Sequence, residues 1–268
     1  MRAPRVSCGA SVRRYAVAVA RGQRQNRALR DLQETWDHLG RSDPMWAAVT
    51  NPSKRGRRWN RDEFFATGEA EIEGALALLS ANGVVPPRGR ALDFGCGVGR
   101  LTRALASRFD TAAGVDVAAS MIEEARALNG DVRNATFVHN PHDDLAVIPS
   151  KSVDFLYSRL VLQHIPPPLS ERYVAEFVRV LSPAGVAMFQ VPRKGSGRTL
   201  VRRVARRLRS LALLRRLFRG RMSMYVLDPK AVRAAVARGG GRVERELDDP
   251  TASEFPSTMY IVQSLARC

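Results

Sequence analysis

From residue 90 the chain alternates between short apolar runs and stretches whose apolar residues recur every three or four positions. Ala91-Leu92-Asp93-Phe94, Ala112 to Val117, Thr136 to His139, Val153 to Tyr157 and Val186 to Val191 have the length and composition of buried strands. Arg100 to Arg108, Ser120 to Leu128 and Glu171 to Leu181 carry helical spacing between them. A turn, Ser182-Pro183-Ala184-Gly185, separates the last of these helices from its strand. Further on, a helix over Pro229 to Arg238 and three glycines precede two more strand candidates, Val243 to Leu247 and Met259 to Val262. Strand–helix alternation with short connections predicts an α/β fold: a doubly wound, mostly parallel sheet with helices on both faces.

Upstream the pattern is purely helical. Phe64, Phe65, Ile72, Ala75, Leu76 and Leu79 predict a helix from Asp62 to Ala81. Asn82-Gly83 ends it and Pro86-Pro87 bars its continuation. Residues 31–60 place Trp36, Trp46 and Trp59 among turn formers, which predicts short helices folded back on the body. The expected organisation is a basic leader over 1–30 that does not fold, a helical cap over 31–84, and an α/β domain over 85–268. An Arg-rich helical insertion at 193–225 interrupts that domain.

Charge sharpens this division. The 268 residues carry a formal charge of +17, with 43 basic and 26 acidic side chains. Eight arginines and no acid lie in 1–30, and eleven arginines, one lysine and no acid in 193–221. Removing those twenty charges leaves 23 basic residues against 26 acidic, so the body is near neutral. On a helical wheel Leu200, Val201, Val204, Ala205, Leu208 and Leu211 share one face, opposite Arg202, Arg203, Arg206, Arg207 and Arg209. Such a stretch suits a lid packed on the body, or peripheral contact with an anionic membrane through 199–219. Sparse aromatic residues there (Phe218 and Tyr225) count against nucleic acid. Cys8, Cys96 and Cys268 lack any metal-binding or disulfide spacing. No apolar run reaches the roughly 18–20 residues a bilayer span needs, and a cytoplasmic setting is expected.

The segment richest in chemistry is Asp93-Phe94-Gly95-Cys96-Gly97-Val98-Gly99-Arg100. A strand runs into three alternate glycines and then a helix, which brings bare backbone and a positive helix end against a ligand. Asp116 closes the next strand, where a carboxylate can accept from both hydroxyls of a ribose. A dinucleotide fingerprint would need glycine at position 100, where Arg100 stands. An acid two residues before the first glycine suits a ligand with a positive amino group and would repel a pyrophosphate. These residues favour S-adenosylmethionine over NAD.

With these motifs the chain resembles the class I S-adenosylmethionine-dependent methyltransferases. Gly114-Val115-Asp116-Val117 with Met121, Val153 to Ser158, Leu162-Gln163-His164-Ile165 and Arg179-Val180-Leu181-Ser182-Pro183-Ala184-Gly185 extend the likeness from about Asn60 to Tyr260. The resemblance implies a seven-stranded sheet whose last strand is antiparallel. It places the cofactor against Asp93, Gly95, Cys96, Gly97, Gly99, Asp116, Val117, Met121, Asn140 and Ser158. After the third strand it asks for an acid facing the adenine amino group, for which Asp143 is preferred over Asp144.

Methyl transfer needs aligned partners, and a base only when the nucleophile must lose a proton. Of the four histidines, His164 follows the fourth strand and is the candidate acid/base or orienting group. Arg159 and Gln163 are candidates for the substrate. The fourth strand runs into Ser158-Arg159-Leu160-Val161 rather than the Pro-Pro-aromatic signature of base N-methylation. The expectation is O-methylation of a small-molecule or lipid-linked acceptor. The alternative is a non-catalytic module that binds membrane or nucleic acid through its Arg-rich segment.

Overall fold

The computed structural model describes residues 26–193, 222–249 and 256–265. The expected Arg-rich helix at 199–219 and most of the expected leader lie outside them. Residues 26–42 are helical (α1), so 26–30 belong to the cap rather than to a leader. This correction has a physical basis: Leu29 and Leu32 pack on the main core. The cap continues through α2 (Pro44–Ala48), a single 3-10 turn at Pro52–Lys54, and α3 (Arg61–Ala81). Asn60 caps α3 by accepting from the Asp62 and Glu63 amides.

Seven strands follow: β1 (Arg90–Phe94), β2 (Thr111–Asp116), β3 (Ala135–His139), β4 (Val153–Ser158), β5 (Leu181–Pro192), β6 (Gly241–Asp249) and β7 (Ser257–Ser264). The helices between them are α4 (Arg100–Ala106), α5 (Ala119–Leu128), α6 (Pro167–Val180) and α7 (Pro229–Arg238). The sheet order is β3-β2-β1-β4-β5-β7-β6. The pairings among β1 to β5 are parallel, and β7 is antiparallel to both β5 and β6. The expected seven-stranded, doubly wound sheet is present.

Two elements start earlier than the pattern predicts. α6 opens at Pro167 because a proline in the first turn lacks only an amide that the helix leaves unbonded anyway. The Ser182–Gly185 turn is an excursion within β5: Leu181 pairs with Val153, and regular register resumes at Val186 with Phe155. Gly185 is required there, since a Cβ would lie 2.5 Å from the Val153 carbonyl oxygen.

Period-two alternation along the central strands supplies two apolar layers. Leu156, Ala187 and Phe189 face α6 and α7, where Phe177, Val178, Val232 and Val236 meet them. Phe155, Tyr157 and Met188 face the opposite layer, built by Ile72 and Leu79 of α3 and Leu101 and Leu105 of α4. The cap helix α3 therefore forms part of the domain core. No described helix is long and apolar enough to cross a membrane.

Phe155 is fully buried and stacks on Phe109 at 5.4 Å and on Tyr157 at 6.1 Å between ring centroids. Phe155→Ala should lower stability by about 3–5 kcal/mol through lost burial and the cavity left behind. A urea unfolding midpoint compared with wild type measures it.

Candidate active site

β1 and β2 end side by side, and the loop after β1 is fastened to β2. Gly95 N and Cys96 N both donate to the Val115 carbonyl, at 2.8 and 3.1 Å. Gly95, Gly97 and Gly99 all have positive φ, so the chain reverses through left-handed residues that disfavour a side chain. A Cβ on Gly99 would also press to 2.6 Å from the Phe137 ring. Over Gly97 the nearest atom to such a Cβ is Ala48 Cβ at 3.5 Å, so bare backbone faces open space beneath the cap.

That space is a cavity of about 680 Å³, within the usual size for small-molecule sites. It opens where the strand order reverses between β1 and β4, the position doubly wound folds use for ligands. The glycine loop, the β2 and β4 ends, and the cap residues Trp36, Ala48, Val49 and Pro52 line it, together with Met222 and Met224.

Asp93 is buried, and its carboxylate accepts from Thr102 Oγ1 at 2.7 Å. Burial pushes its pKa up to about 7, against the lowering pull of Thr102 and Arg100. Asp116 accepts from Gly97 N through Oδ2 and from Ala118 N through Oδ1, both at 2.9 Å. Desolvation raises its pKa as well, opposed by those amides. Asn140 is held by its Nδ2 donating to the Asp144 carbonyl, while its Oδ1 is buried without a partner.

Asp93, Gly95, Cys96, Gly97, Asp116, Val117, Met121, Asn140, Arg159, Gln163 and His164 all line the cavity, as expected of a shared site. Three expected cofactor residues do not. Ser158 Oγ donates to the Phe94 carbonyl and joins β4 to β1. Gly99 serves the packing of the α4 start. Asp143 turns away because Arg172 of α6 pairs with its carboxylate. Asn140, itself an expected cofactor residue, brings an unpartnered oxygen to the cavity wall instead.

His164 was expected as an acid/base or orienting group, and its contacts suit the second. Its Nδ1 lies 2.8 Å from the Ser223 carbonyl, which can only accept, so Nδ1 carries the proton. The Nε2 lone pair then receives the Gln163 amide at 3.1 Å. Burial lowers its pKa, and Trp36 packs edge-on at 5.1 Å. A ring with both nitrogens engaged is an anchor, not a poised base.

A polar chain that sequence spacing did not reveal runs behind one wall. Glu71 of α3 takes Arg100 at 2.7 Å, Tyr157 Oη at 3.4 Å and Arg159 at 3.7 Å. Arg159 also meets Asp249 at 3.4 Å, and Gln190 joins Asp249 at 2.6 Å. Gln190 Oε1 accepts from Leu160 N, whose residue holds a strained φ of 59°. Glu71 sits on a helix face like its neighbours Glu69 and Glu73, and only the fold brings it to Arg100 and Arg159.

Residues 92–189 match a family described as "Methyltransferase domain". Over those residues the chain carries a class I S-adenosylmethionine-dependent methyltransferase domain. It is 33% identical over 138 residues to a trans-aconitate 2-methyltransferase of Deinococcus radiodurans, covering 50% of this chain and 49% of the relative. A protein of the same name from Methylobacterium radiotolerans is 29% identical over 136 residues, again covering 50% and 49%. The chain thus spans about half the length of the curated relatives it matches. In fold it is similar to magnesium protoporphyrin IX methyltransferase of Synechocystis PCC 6803, solved with S-adenosylhomocysteine, with a TM-score of 0.59 and 19% identity. That alignment covers 87% of this chain and 97% of the other.

The cofactor of this methyltransferase family is S-adenosylmethionine, and the residues present fit it. Asn140 Oδ1, buried at the cavity wall without a partner, would accept from an amino group, Asp116 would take the ribose hydroxyls, and Asp93 would balance an ammonium. Asp93 must be ionised for that last role. Below pH 7 its protonated form grows, so S-adenosylhomocysteine should bind about tenfold more weakly per pH unit there and reach a plateau above pH 8. Calorimetric titration between pH 5.5 and 8.5 measures this, and Asp93→Asn should flatten the dependence.

Proposed function

We propose that this methyltransferase transfers the methyl group of S-adenosylmethionine to a carboxylate oxygen of a small organic acid. The carrying observation is that the described residues lining the cavity offer no side chain poised to take a proton from an acceptor. His164 is locked neutral by two hydrogen bonds. Burial raises the Tyr173 hydroxyl and the Cys96 thiol, both at the cavity wall, far above neutrality. Asp93 and Asp116 have the cofactor roles described above. An alcohol or amine would need such a base, whereas a carboxylate arrives already ionised.

When bound, the cofactor supplies an electrophilic methyl on a sulfonium with a neutral thioether as leaving group. The chain's own residues do the rest by positioning. Asp93, Asp116 and Asn140 hold one partner at the β1 and β2 ends. Arg159, oriented by Glu71 and Asp249, holds the acceptor's carboxylate, and Gln163 stands beside it, fixed through His164. Trp36, Val49 and Pro52 of the cap exclude water. The names of the relatives, enzymes of a carboxylic acid, support this reading. A lipid-linked acid suits the same apolar wall, and the membrane contact expected at 199–219 concerns residues outside those described.

Two measurements test the proposal. With tritiated S-adenosylmethionine and a panel of organic acids, the label should enter products that release volatile methanol in alkali, the signature of a methyl ester. Alkali-stable label would overturn the carboxylate reading. Asp116→Ala should weaken S-adenosylhomocysteine binding by about 10- to 100-fold, the loss expected for hydrogen bonds to a charged group.

A further inference from the structure

We infer that the cavity recognises a ligand amino group through an amide locked in one orientation, with Tyr173 and Gln33 as the positioning residues that hold the lock. The inference rests on the cofactor reading above and extends it to residues that act through Asn140. Asn140 directly follows β3, is 2% exposed and lines the cavity. Its backbone amide donates to the Asp116 carbonyl at 2.8 Å, which ties its main chain to the end of β2. Its Nδ2 donates to the Asp144 carbonyl at 2.6 Å, and its Oδ1 is buried without a partner.

The two ends of an asparagine amide are nearly equal in shape, so a free one can turn over and offer either a donor or an acceptor. Here that turn is blocked. A carbonyl can only accept, and reversing the amide would set Oδ1 against the Asp144 oxygen. The cavity wall therefore presents an acceptor at this point for as long as the Asp144 carbonyl keeps its place. An amino group on the ligand satisfies it. A ligand carbonyl in the same position leaves two acceptors face to face in a buried site.

The Asp144 carbonyl is kept in place from α1 and α6. Residues 140–145 form no helix or strand, yet each of the five after Asn140 is held by a side chain from outside the loop. Gln33 of α1 donates to the Pro141 carbonyl at 2.8 Å, and the Tyr173 hydroxyl of α6 donates to the His142 carbonyl at 2.5 Å. Arg172 pairs with Asp143 and lies 3.6 Å from Asp144. Glu176 accepts from Leu145 N, and Arg179 donates to the Leu145 carbonyl. The Arg172 pair is exposed and contributes little. Tyr173 is buried, with its ring packed on Phe94 at 4.7 Å between centroids, so its hydroxyl is a rigid strut. Gln33 meets the adjoining carbonyl from the cap. Between them they fix the backbone that leads from Asn140 to the carbonyl its amide grips.

Calorimetry on the full chain tests this with S-adenosylhomocysteine and S-inosylhomocysteine, whose purine carries a carbonyl in place of the amino group. Wild type should bind the adenosyl ligand about tenfold or more tightly than the inosyl one. Asn140→Ala should bring the two within about twofold. Tyr173→Phe keeps the ring and Gln33→Met keeps the chain length. Each should shrink the ratio by about threefold or more, because a released amide can turn to suit the carbonyl. A merely structural role would weaken both ligands alike and leave the ratio standing. Should Tyr173→Phe fail to fold, Gln33→Met at its half-buried helical position carries the same test. Equal binding of the two ligands by wild type overturns the inference, as does an unchanged ratio in the folded variants. Failure of wild type to bind S-adenosylhomocysteine at all would instead strike the cofactor reading, a result distinct from these.

Discussion

The site depends on one carboxylate that two backbone segments share. Asp116 receives Gly97 N from the loop after β1 and Ala118 N from the approach to α5. Three left-handed glycines give the loop its course, but without a fixed acceptor such a course is expensive in backbone entropy. Asp116 supplies the acceptor, and the Val115 carbonyl just before it takes two more loop amides. The end of β2 thus determines the shape of the β1 loop, and through it the floor of the cavity. A residue that reads as a ligand contact is equally a structural clamp.

A second constraint comes from charge placed in a dry interior. Arg100 follows the last loop glycine and would be costly to bury alone. Glu71 meets it from α3, so the cap helix compensates a charge that the loop introduces. The same acid reaches toward Arg159 at the end of β4. One helix outside the sheet therefore orders two guanidinium groups at the cavity wall. Ion pairs of this kind contribute little net stability, and breaking one partner leaves an uncompensated charge. Their value here is geometric: they fix where two guanidinium groups point.

Much of this was legible from residue pattern. Residue pattern located all seven strands, and for β1 to β5 the reason is that buried parallel strands demand continuous apolar runs. The glycine spacing with Asp93 and Asp116 located the cavity floor, since each residue type there answers a backbone or charge requirement. What spacing could not reveal were side chains whose meaning depends on a distant partner. Asp143 sits in an acidic turn like any ligand-facing acid, until Arg172 on α6 claims it. His164 looks available until residues 222–225 return to bind it and its neighbour, with Tyr225 N donating to the Gln163 carbonyl at 2.7 Å. Glu71 lies within a helix of several glutamates, and nothing local distinguishes it from Glu69 or Glu73.

The first helix carries a consequence for how the protein can be dissected. Asp37 on α1 caps α5, accepting from Ser120 N at 2.9 Å, while Ser120 Oγ donates to the Asp37 carbonyl. Gly40 lies so close that a Cβ there would fall 2.4 Å from Ser120 Oγ. The helix is fitted against the start of α5 by backbone approach as well as by a side chain. A fragment cut at the start of β1 would keep every strand yet lose the cap of α5, the acid beside Arg100 and the apolar side of α3. The catalytic unit, taken as the smallest piece that could be moved between proteins, extends back to α1 and is not delimited by the sheet.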